Sequence, residues 1–473
     1  MFEEIARFGT EIAAIDEHGN NISYQELVTE GDKISQDIEK RSLVFSLCSN
    51  TIGSVCGYVG FLRNKIVPLL LSESLDDELL KHLIEIYQPA YIWLPSTKVT
   101  MFSQWNTVYE KYNYVLVKTQ YESVTLYQEL ALLLTTSGST GSPKLVRQSY
   151  ENLQSNTESI IEYLELDSTE RAITTLPMNY TYGLSIINTH LTAGATMLLT
   201  EKTLMQKEFW EFFKREEATS FGGVPYTYEM LNKLRFFRMQ LPSLRYMTQA
   251  GGKLSPELHR QFAEFAKESG RKFIVMYGQT EATARMAYLP AEYSLEKYGS
   301  MGIAIPNGRF ELWDVNQQVI TEPGVAGELV YYGKNVTLGY AECQADLAKG
   351  DERQGRLETG DMAKMDEDGY FFIIGRKKRF LKVYGNRVNL DEIEHMLKDH
   401  FQEISCACSG VDDKVYVFIV GANATQVVLE EIKEFVSKKT GLNKNAFTVK
   451  SIPERRYIQN WRNTIKIGGQ YGN

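Results

Sequence analysis

Cysteine is scarce in this chain, and long apolar runs are missing. The five cysteines are Cys48, Cys56, Cys343, Cys406 and Cys408. Only the last two stand close, and their C-x-C in "EISCACSG" lacks the second cluster that a zinc site requires. They read as core residues of a protein kept in a reducing compartment. The longest apolar runs, such as "IVPLLL" from Ile66, fall far short of the roughly 20 residues that span a bilayer. The opening "MFEEIARFGTEIAAIDEHG" puts acidic side chains where a secretory signal needs a basic flank. A cytoplasmic location without a membrane span is therefore expected. Basic charge is not in excess either: 51 lysines and arginines face 60 acidic residues, a formal charge of -9. That balance argues against a nucleic-acid surface. Six histidines leave no evident Ser-His-Asp arrangement. Internal repeats and low-complexity tracts are absent too.

What is present is an ordinary globular balance, 43% hydrophobic and 23% charged, over 473 residues, enough for more than one domain. Short β-branched or aromatic runs such as "RSLVFSLCSN", "IVPLLLSES", "AYIWLPS" and "NYVLVKT" alternate with amphipathic stretches such as "DDELLKHLIEIYQ". The alternation continues through "GATMLLTEK", "ATSFGGVP", "SLRYMTQAGG" and "KFIVMYGQTE". It predicts an α/β protein with parallel-rich sheets, whose ligands sit at the carboxyl ends of strands. Near Gly324 the texture turns short, turn-rich and antiparallel. Beyond the basic stretch Arg376 to Arg379 a smaller α+β unit of about 95 residues is expected. There Asn389 and Glu392 offer a capping box for the helix carrying Ile393, Met396, Leu397 and Phe401. The expected division is a large multi-subdomain part, 1–377, and a small C-terminal domain, 378–473.

Three stretches carry chemistry. "TTSGSTGSPKLV", from Thr135, is glycine- and hydroxyl-rich but is no ordinary nucleoside-triphosphatase loop, because its lysine, Lys144, sits between Pro143 and Leu145. Pro143 has no N–H to donate and disfavours helical dihedrals at Ser142. A turn able to close over phosphates remains, with Lys144 to anchor it or meet their charge. "VMYGQTEATARM" reads as a strand emptying into a glycine turn that presents Thr280 and Glu281. A carboxylate beside phosphates needs a cation between them, which makes Glu281 a magnesium-side ligand, the alternative being a polar turn with a surface glutamate. Tyr277 is placed to stack on a base. In "ETGDMAKMDEDGYFFIIGRKKR", Asp361 can accept from two vicinal ribose hydroxyls, and Arg376 can reach the same sugar or a phosphate.

Together with "GELVYYGKNVTLGY" and "GRKKRFLKVYGNRVNLDEIE", these stretches resemble, in order and spacing, the AMP-forming adenylate-forming superfamily. That group holds acyl- and aryl-CoA synthetases, amino-acid adenylation domains and luciferase-like enzymes. The resemblance implies a two-step ligase using ATP and Mg2+. A small carboxylic acid becomes an acyl-adenylate with loss of pyrophosphate, and a thiol then displaces AMP. The acceptor would be CoA, or the phosphopantetheine of an external acyl or peptidyl carrier protein; no fused carrier domain is expected. It further implies that Thr136, Ser137, Gly138, Ser139, Thr140, Gly141 and Lys144, with Thr280, bind phosphates. Gly251 and Gly252, and the run Tyr277, Gly278, Gln279, would line the nucleotide site with Asp361 and Arg376. Lys378 would be the hinge of a mobile C-terminal domain, and Gly385 would border the thiol tunnel after the swing. A monomer or weak homodimer is expected.

Two departures from the family pattern stand out. The catalytic lysine usually follows a glycine shortly after a proline, whereas here Lys466 lies thirteen residues beyond Pro453, within "IKI". Its expected role is to neutralise phosphate and carboxylate oxygens, the alternative being a solvated tail lysine. In "LPMNYTYGLS", Tyr180 stands where acyl-activating relatives carry histidine and amino-acid-specific ones aspartate. Asn179, Tyr180, Tyr182, Gly183 and Tyr226 therefore suggest an aromatic wall around an uncharged part of the substrate, although the tyrosines serve equally as core packing. A CoA 3′-phosphate would want exposed basic residues such as Arg379, Lys382 or Arg387. Two competing readings follow: an amino-acid-adenylating enzyme loading a carrier protein, and a non-catalytic nucleotide-binding homologue.

Overall fold

The computed structural model describes residues 1–39, 41–135, 144–383, 386–401, 405–411, 413–420, 426–440 and 442–452. Two large sheets dominate the chain up to residue 304, one of them completed at an edge by the later strand Gly339–Ala341. One has eight strands, with Leu43–Cys48, Val67–Ser72, Tyr91–Pro95 and Leu130–Thr135 parallel in its middle and antiparallel strands at both edges. The other has nine, with Ile12–Asp16, Arg171–Ile173, Thr196–Leu199, Ser220–Gly223, Tyr246–Gln249 and Lys272–Tyr277 all parallel.

Strand alternation explains how the sheets stack. Leu70 and Val44 enter a central cluster shared with Ala172, Met197, Ile274 and Met276 of the other sheet. Helices Tyr24–Gln36, Ile52–Arg63, Tyr150–Leu164 and Thr181–Ala193 contribute to the same cluster, between the sheets. Their neighbours in the strands, Leu69, Leu71, Phe45 and Leu47, face a second cluster under the helix Asp77–Tyr87. Phe221, Met247, Phe273 and Val275 face a third, covered by Lys207–Arg215, Pro225–Lys233 and Pro256–Glu268. Both sheets are thus buried on two faces, which is why their strands read as continuous apolar runs.

A five-stranded antiparallel sheet follows: Arg309–Trp313, Val319–Ile320, Gly327–Tyr332, Arg356–Met365 and Phe371–Arg376. It begins at Arg309, upstream of the change of texture expected near Gly324, because "RFELW" is half exposed and carries too little apolar pattern to announce a strand. After Arg376 comes a smaller α+β region with a hydrophobic cluster of its own. It contains the hairpin Phe380–Val383 and Asn386–Asn389, the helix Leu390–His400, and the strands Ser405–Val411, Lys414–Val420 and Phe447–Ile452 with the helix Gln426–Thr440. Asn389 caps its helix by accepting from the N–H of Asp391, not through a box with Glu392. Its amide also donates to the Ile374 carbonyl at 2.9 Å, so this side chain ties the helix start back to the preceding strand. Cys48, Cys56, Cys406 and Cys408 are buried and Cys343 is exposed. Among the described residues, no helix is long and apolar enough to cross a membrane.

Candidate active site

The site is built around one turn at the carboxyl end of a parallel strand. Lys272–Tyr277 runs buried through Phe273 to Met276 and stops at Gly278. A Cβ on Gly278 would lie 1.5 Å from the Ala284 carbonyl oxygen, so only glycine lets the chain double back there. The helical turn Thr280–Ala282 follows, then Thr283 at φ 53° and Ala284 at φ 94°. Non-glycine residues hold such angles only where the surroundings impose them. Here Asn335 donates to the Ala282 and Arg285 carbonyls at 2.8 and 3.1 Å, and Asn156 donates to the Arg285 carbonyl at 2.8 Å. The Thr337 N–H and hydroxyl both donate to the Glu281 carbonyl at 3.0 Å. Gln148 reaches the Thr280 carbonyl at 3.3 Å.

On one side the turn meets Asp361. Register pairs Asp361 with Arg376 across adjacent strands, and Arg376 Nε lies 2.9 Å from Asp361 Oδ1. Oδ2 accepts from the Tyr277 hydroxyl and, at 3.0 Å, from Gln279 Nε2. Sequence reasoning brought these four residues to one site but treated both Asp361 oxygens as open to a sugar. Three donors already occupy them, leaving little acceptor capacity beyond one position on Oδ1. Asp361 is 3% exposed, and burial lifts its carboxyl above the ordinary range despite the opposing Tyr277, Arg376 and Gln279. Burial, helped by the Asp361 charge, likewise keeps the Tyr277 phenol protonated. The Tyr277 ring lies 6.5 Å from that of Phe310.

On the other side the turn meets Lys144. The strand Leu145–Ser149 pairs with Gly339–Ala341, which brings Tyr340 beside both Lys144 and Glu281. The Tyr340 hydroxyl donates to Glu281 Oε1 at 2.7 Å. Two cations lie near its ring, Lys144 Nζ at 3.9 Å and the Arg353 guanidinium carbon at 4.6 Å from the centroid. Lys144 also stands 3.3 Å from Glu342. Burial, then the Glu281 charge, pushes the Tyr340 phenol up to about 12, so it stays a donor. Tyr340, Arg353, Thr337, Asn335 and Gln148 were missed by sequence reasoning. Tyr340 lay inside a quoted motif, but only the pairing of strands nearly 200 residues apart, Leu145 with Ala341, reveals what it touches.

The acyl side is less as expected. Gly251 has φ 79°, and a Cβ on it would lie 2.5 Å from the Tyr180 hydroxyl; one on Gly252 would lie 3.0 Å from Pro225 Cγ. Tyr180 is half-buried and Asn179 keeps a buried amide oxygen without a partner. Tyr182, however, is a core residue whose hydroxyl is satisfied by Thr248 at 2.7 Å, and Tyr228 likewise donates to the Thr248 carbonyl. Gly183 is buried where a Cβ would meet the Pro177 carbonyl, a packing role, and Tyr226 is 65% exposed. The aromatic wall shrinks to Tyr180 and its neighbours, because the helix Thr181–Ala193 turns its next residue into the core. Arg379, offered for a CoA phosphate, is instead engaged by Asp391 at 2.7 Å and by Glu394. Lys378 falls in the short turn Lys377–Arg379. Thr136 to Gly141, Gly385 and Lys466 lie outside the described residues.

The profile of the AMP-binding enzyme family matches residues 1–341. The chain belongs to that family. Among relatives of this AMP-binding enzyme, the peroxisomal OPC-8:0-CoA ligase 1 of Arabidopsis thaliana is 30% identical over 340 residues, covering 69% of this chain and 62% of that protein. An oxalate–CoA ligase of the same plant is 29% identical over 339 residues, 69% of this chain and 63% of its own length. The chain thus matches less than two thirds of either ligase. In fold it is similar to o-succinylbenzoate CoA synthetase from Bacillus subtilis bound to the acyl-adenylate OSB-AMP, with a TM-score of 0.75 and 20% identity over 100% of this chain and 99% of the other. ATP-bound MatB from Rhodopseudomonas palustris gives 0.72 at 21% identity over 95% and 94%.

Proposed function

We propose that this protein is an AMP-forming acid–thiol ligase. A carboxylate oxygen attacks the α-phosphorus of ATP and pyrophosphate leaves. The thiolate sulfur of CoA then attacks the acyl carbon and AMP leaves. A carboxylate resists direct thiol attack because oxide is a poor leaving group; AMP is a good one, and both steps depend on positioning and electrostatics. The observation that carries this reading is a single turn, Tyr277 to Ala282, bonded on one side to Asp361 and on the other to Tyr340, with Arg376 and Lys144 just beyond.

In this reading the ribose lies against Asp361 and Arg376, and the phosphates against Thr280, Lys144 and the loop from Thr136 to Gly141. Glu281 would hold magnesium with substrate phosphate oxygens and water, a ligand set that suits this ion, and no group of three metal-ligating side chains competes among the described residues. Bound there, the ion supplies positive charge against the triphosphate. Lys466 neutralises charge at the α-phosphate, Lys378 is the hinge between 1–377 and 378–473, and Gly385 borders the thiol path. CoA as acceptor is supported by the names of the relatives, which are CoA ligases. A cytoplasmic monomer or weak homodimer completes the proposal.

Carboxylate-dependent exchange of pyrophosphate into ATP, across fatty, aromatic, dicarboxylic and amino acids, tests it. Exchange with a non-amino acid, followed by CoA-dependent release of AMP, is expected. ATP binding with no exchange for any acid would leave a nucleotide-binding homologue, and thioester formed only on carrier proteins would replace CoA as the acceptor.

A further inference from the structure

The strand that leaves the proposed phosphate loop carries a charge into the interior, three residues beyond Lys144. Arg147 is fully buried, and all five of its guanidinium N–H groups find acceptors. Nε donates to the Tyr340 carbonyl at 3.0 Å, and Nη1 to the carbonyls of Lys349 and, at 3.2 Å, Gly350. Nη2 donates to the Leu338 carbonyl at 3.3 Å and to the half-exposed carboxylate of Glu352. One side chain thus gathers the strand Leu145–Ser149, the strand Gly339–Ala341 and the loop from Lys349 to Glu352. Gly339, at φ 132°, leaves room for it: a Cβ there would collide with the Glu352 carboxylate and lie 2.9 Å from Arg147 Nη2.

Gly339–Ala341 is three residues long and lies at the edge of its sheet, so the ladder alone fixes it with few bonds. Yet Tyr340, at its centre, holds its hydroxyl 2.7 Å from Glu281 Oε1 and its ring against Lys144. The guanidinium grips the carbonyls of Leu338 and Tyr340, on either side of Gly339. The Arg147 carbonyl in turn accepts from the Leu338 N–H at 2.9 Å. Burying a charge is costly, and an apolar side chain would fill this place without that cost. What the arginine adds is a planar fork with fixed donor directions, and these set where Tyr340 stands.

Building on the ligase reading, we infer that Arg147 is a positioning residue for adenylate formation. It acts through Tyr340, keeping that hydroxyl on Glu281 so that the carboxylate holds one orientation at the turn. Both steps of the reaction depend on placement, so a phenol free to shift costs rate even when every group that meets the nucleotide is intact.

A double-mutant cycle on pyrophosphate exchange tests this, with wild-type protein, Arg147→Met, Tyr340→Phe and the double variant. Methionine keeps much of the length and packing of the side chain without its donors. Arg147→Met alone should lower kcat by on the order of 10-fold, as for one lost hydrogen bond to a charged group, and leave KM for ATP within about twofold. In the double variant the two losses should not multiply, because the placement of Tyr340 has no consequence once its hydroxyl is gone. Arg147→Lys should retain part of kcat, since an ammonium keeps the charge beside Glu352 but cannot reach all the acceptors at once. Losses that multiply to about 100-fold would show Arg147 acting apart from Tyr340 and overturn the inference. A lowered melting temperature with wild-type kcat confines Arg147 to the fold and overturns it too. Should Arg147→Met not fold, the same cycle is read with Arg147→Lys. Wild-type protein that exchanges no acid removes the ligase reading and this inference together.

Discussion

Asp361 and Glu281 are both carboxylates bonded at the turn that ends the strand Lys272–Tyr277, yet they are held in opposite ways. Asp361 is 3% exposed, and its oxygens are met by Tyr277, Gln279 and Arg376. The Glu281 carboxylate is partly exposed and is met by one phenol, Tyr340, while its backbone carbonyl is clamped by Thr337 and Arg353. The buried group is nearly filled with donors, one acceptor position on Oδ1 remaining, and it fixes a geometry. The open one keeps acceptor capacity on a rigid mount, which suits a group that must meet a cation and a polyphosphate. One turn thus supplies a template on one side and an electrostatic partner on the other.

Neutralising the open carboxylate should produce the largest effect. Glu281→Gln keeps the shape and the clamped backbone, and is expected to lower kcat for pyrophosphate exchange by on the order of 10²-fold with little change in stability. A loss confined to KM for ATP would assign Glu281 to the template side and erase the contrast. Tyr340→Phe comes next. The ring keeps its contacts with Lys144 and Arg353 while Glu281 loses its donor, so roughly a 10-fold loss in kcat is expected, about the worth of one hydrogen bond to a charged group. Arg376→Ala is smaller still. Its side chain is 61% exposed, so the pair with Asp361 is screened. A few-fold rise in KM for ATP is expected, with the denaturation midpoint nearly unchanged; a large loss of stability would show that Asp361 depends on it.

The same contrast explains what could be read from the sequence. Parallel strands were legible because sheets buried on both faces need unbroken apolar runs, as in "KFIVMYG" and "IVPLLL". Glu281 was legible because it follows a strand at a glycine turn; Asp361 was legible by its place after Thr359 and Gly360, although it lies within the strand Arg356–Met365 and not in the turn expected before a hairpin. The partners were not. Tyr340 meets Glu281 only through the pairing of Gly339–Ala341 with Leu145–Ser149, and no local pattern encodes that register. Tyr182 misled for a related reason, since an aromatic on a helix beside a pocket residue looks the same in sequence whether it faces cavity or core.

The smallest effect concerns protons on the template side. Burial raises Asp361 above the usual carboxylate value, so the native chain holds this proton at pH values where the unfolded chain has released it. The slope of stability with pH follows protons bound by the unfolded state minus those bound by the native state, and that difference is negative here. The contribution is therefore fully present below the unfolded pKa of about 3.9, is lost as pH rises through the raised folded value, and is constant above it. Each pH unit of that window corresponds to about 1.4 kcal/mol. Asp361→Asn cannot titrate, so wild-type stability minus variant stability, from urea unfolding at a series of pH values, isolates the term. That difference should fall as pH climbs just above 3.9 and then level off. A flat difference would mean that Tyr277, Gln279 and Arg376 offset burial completely. A difference rising with pH would mean that they outweigh it, making Asp361 a carboxylate stabilised in its charged form and bringing it closer to Glu281 than its burial suggests.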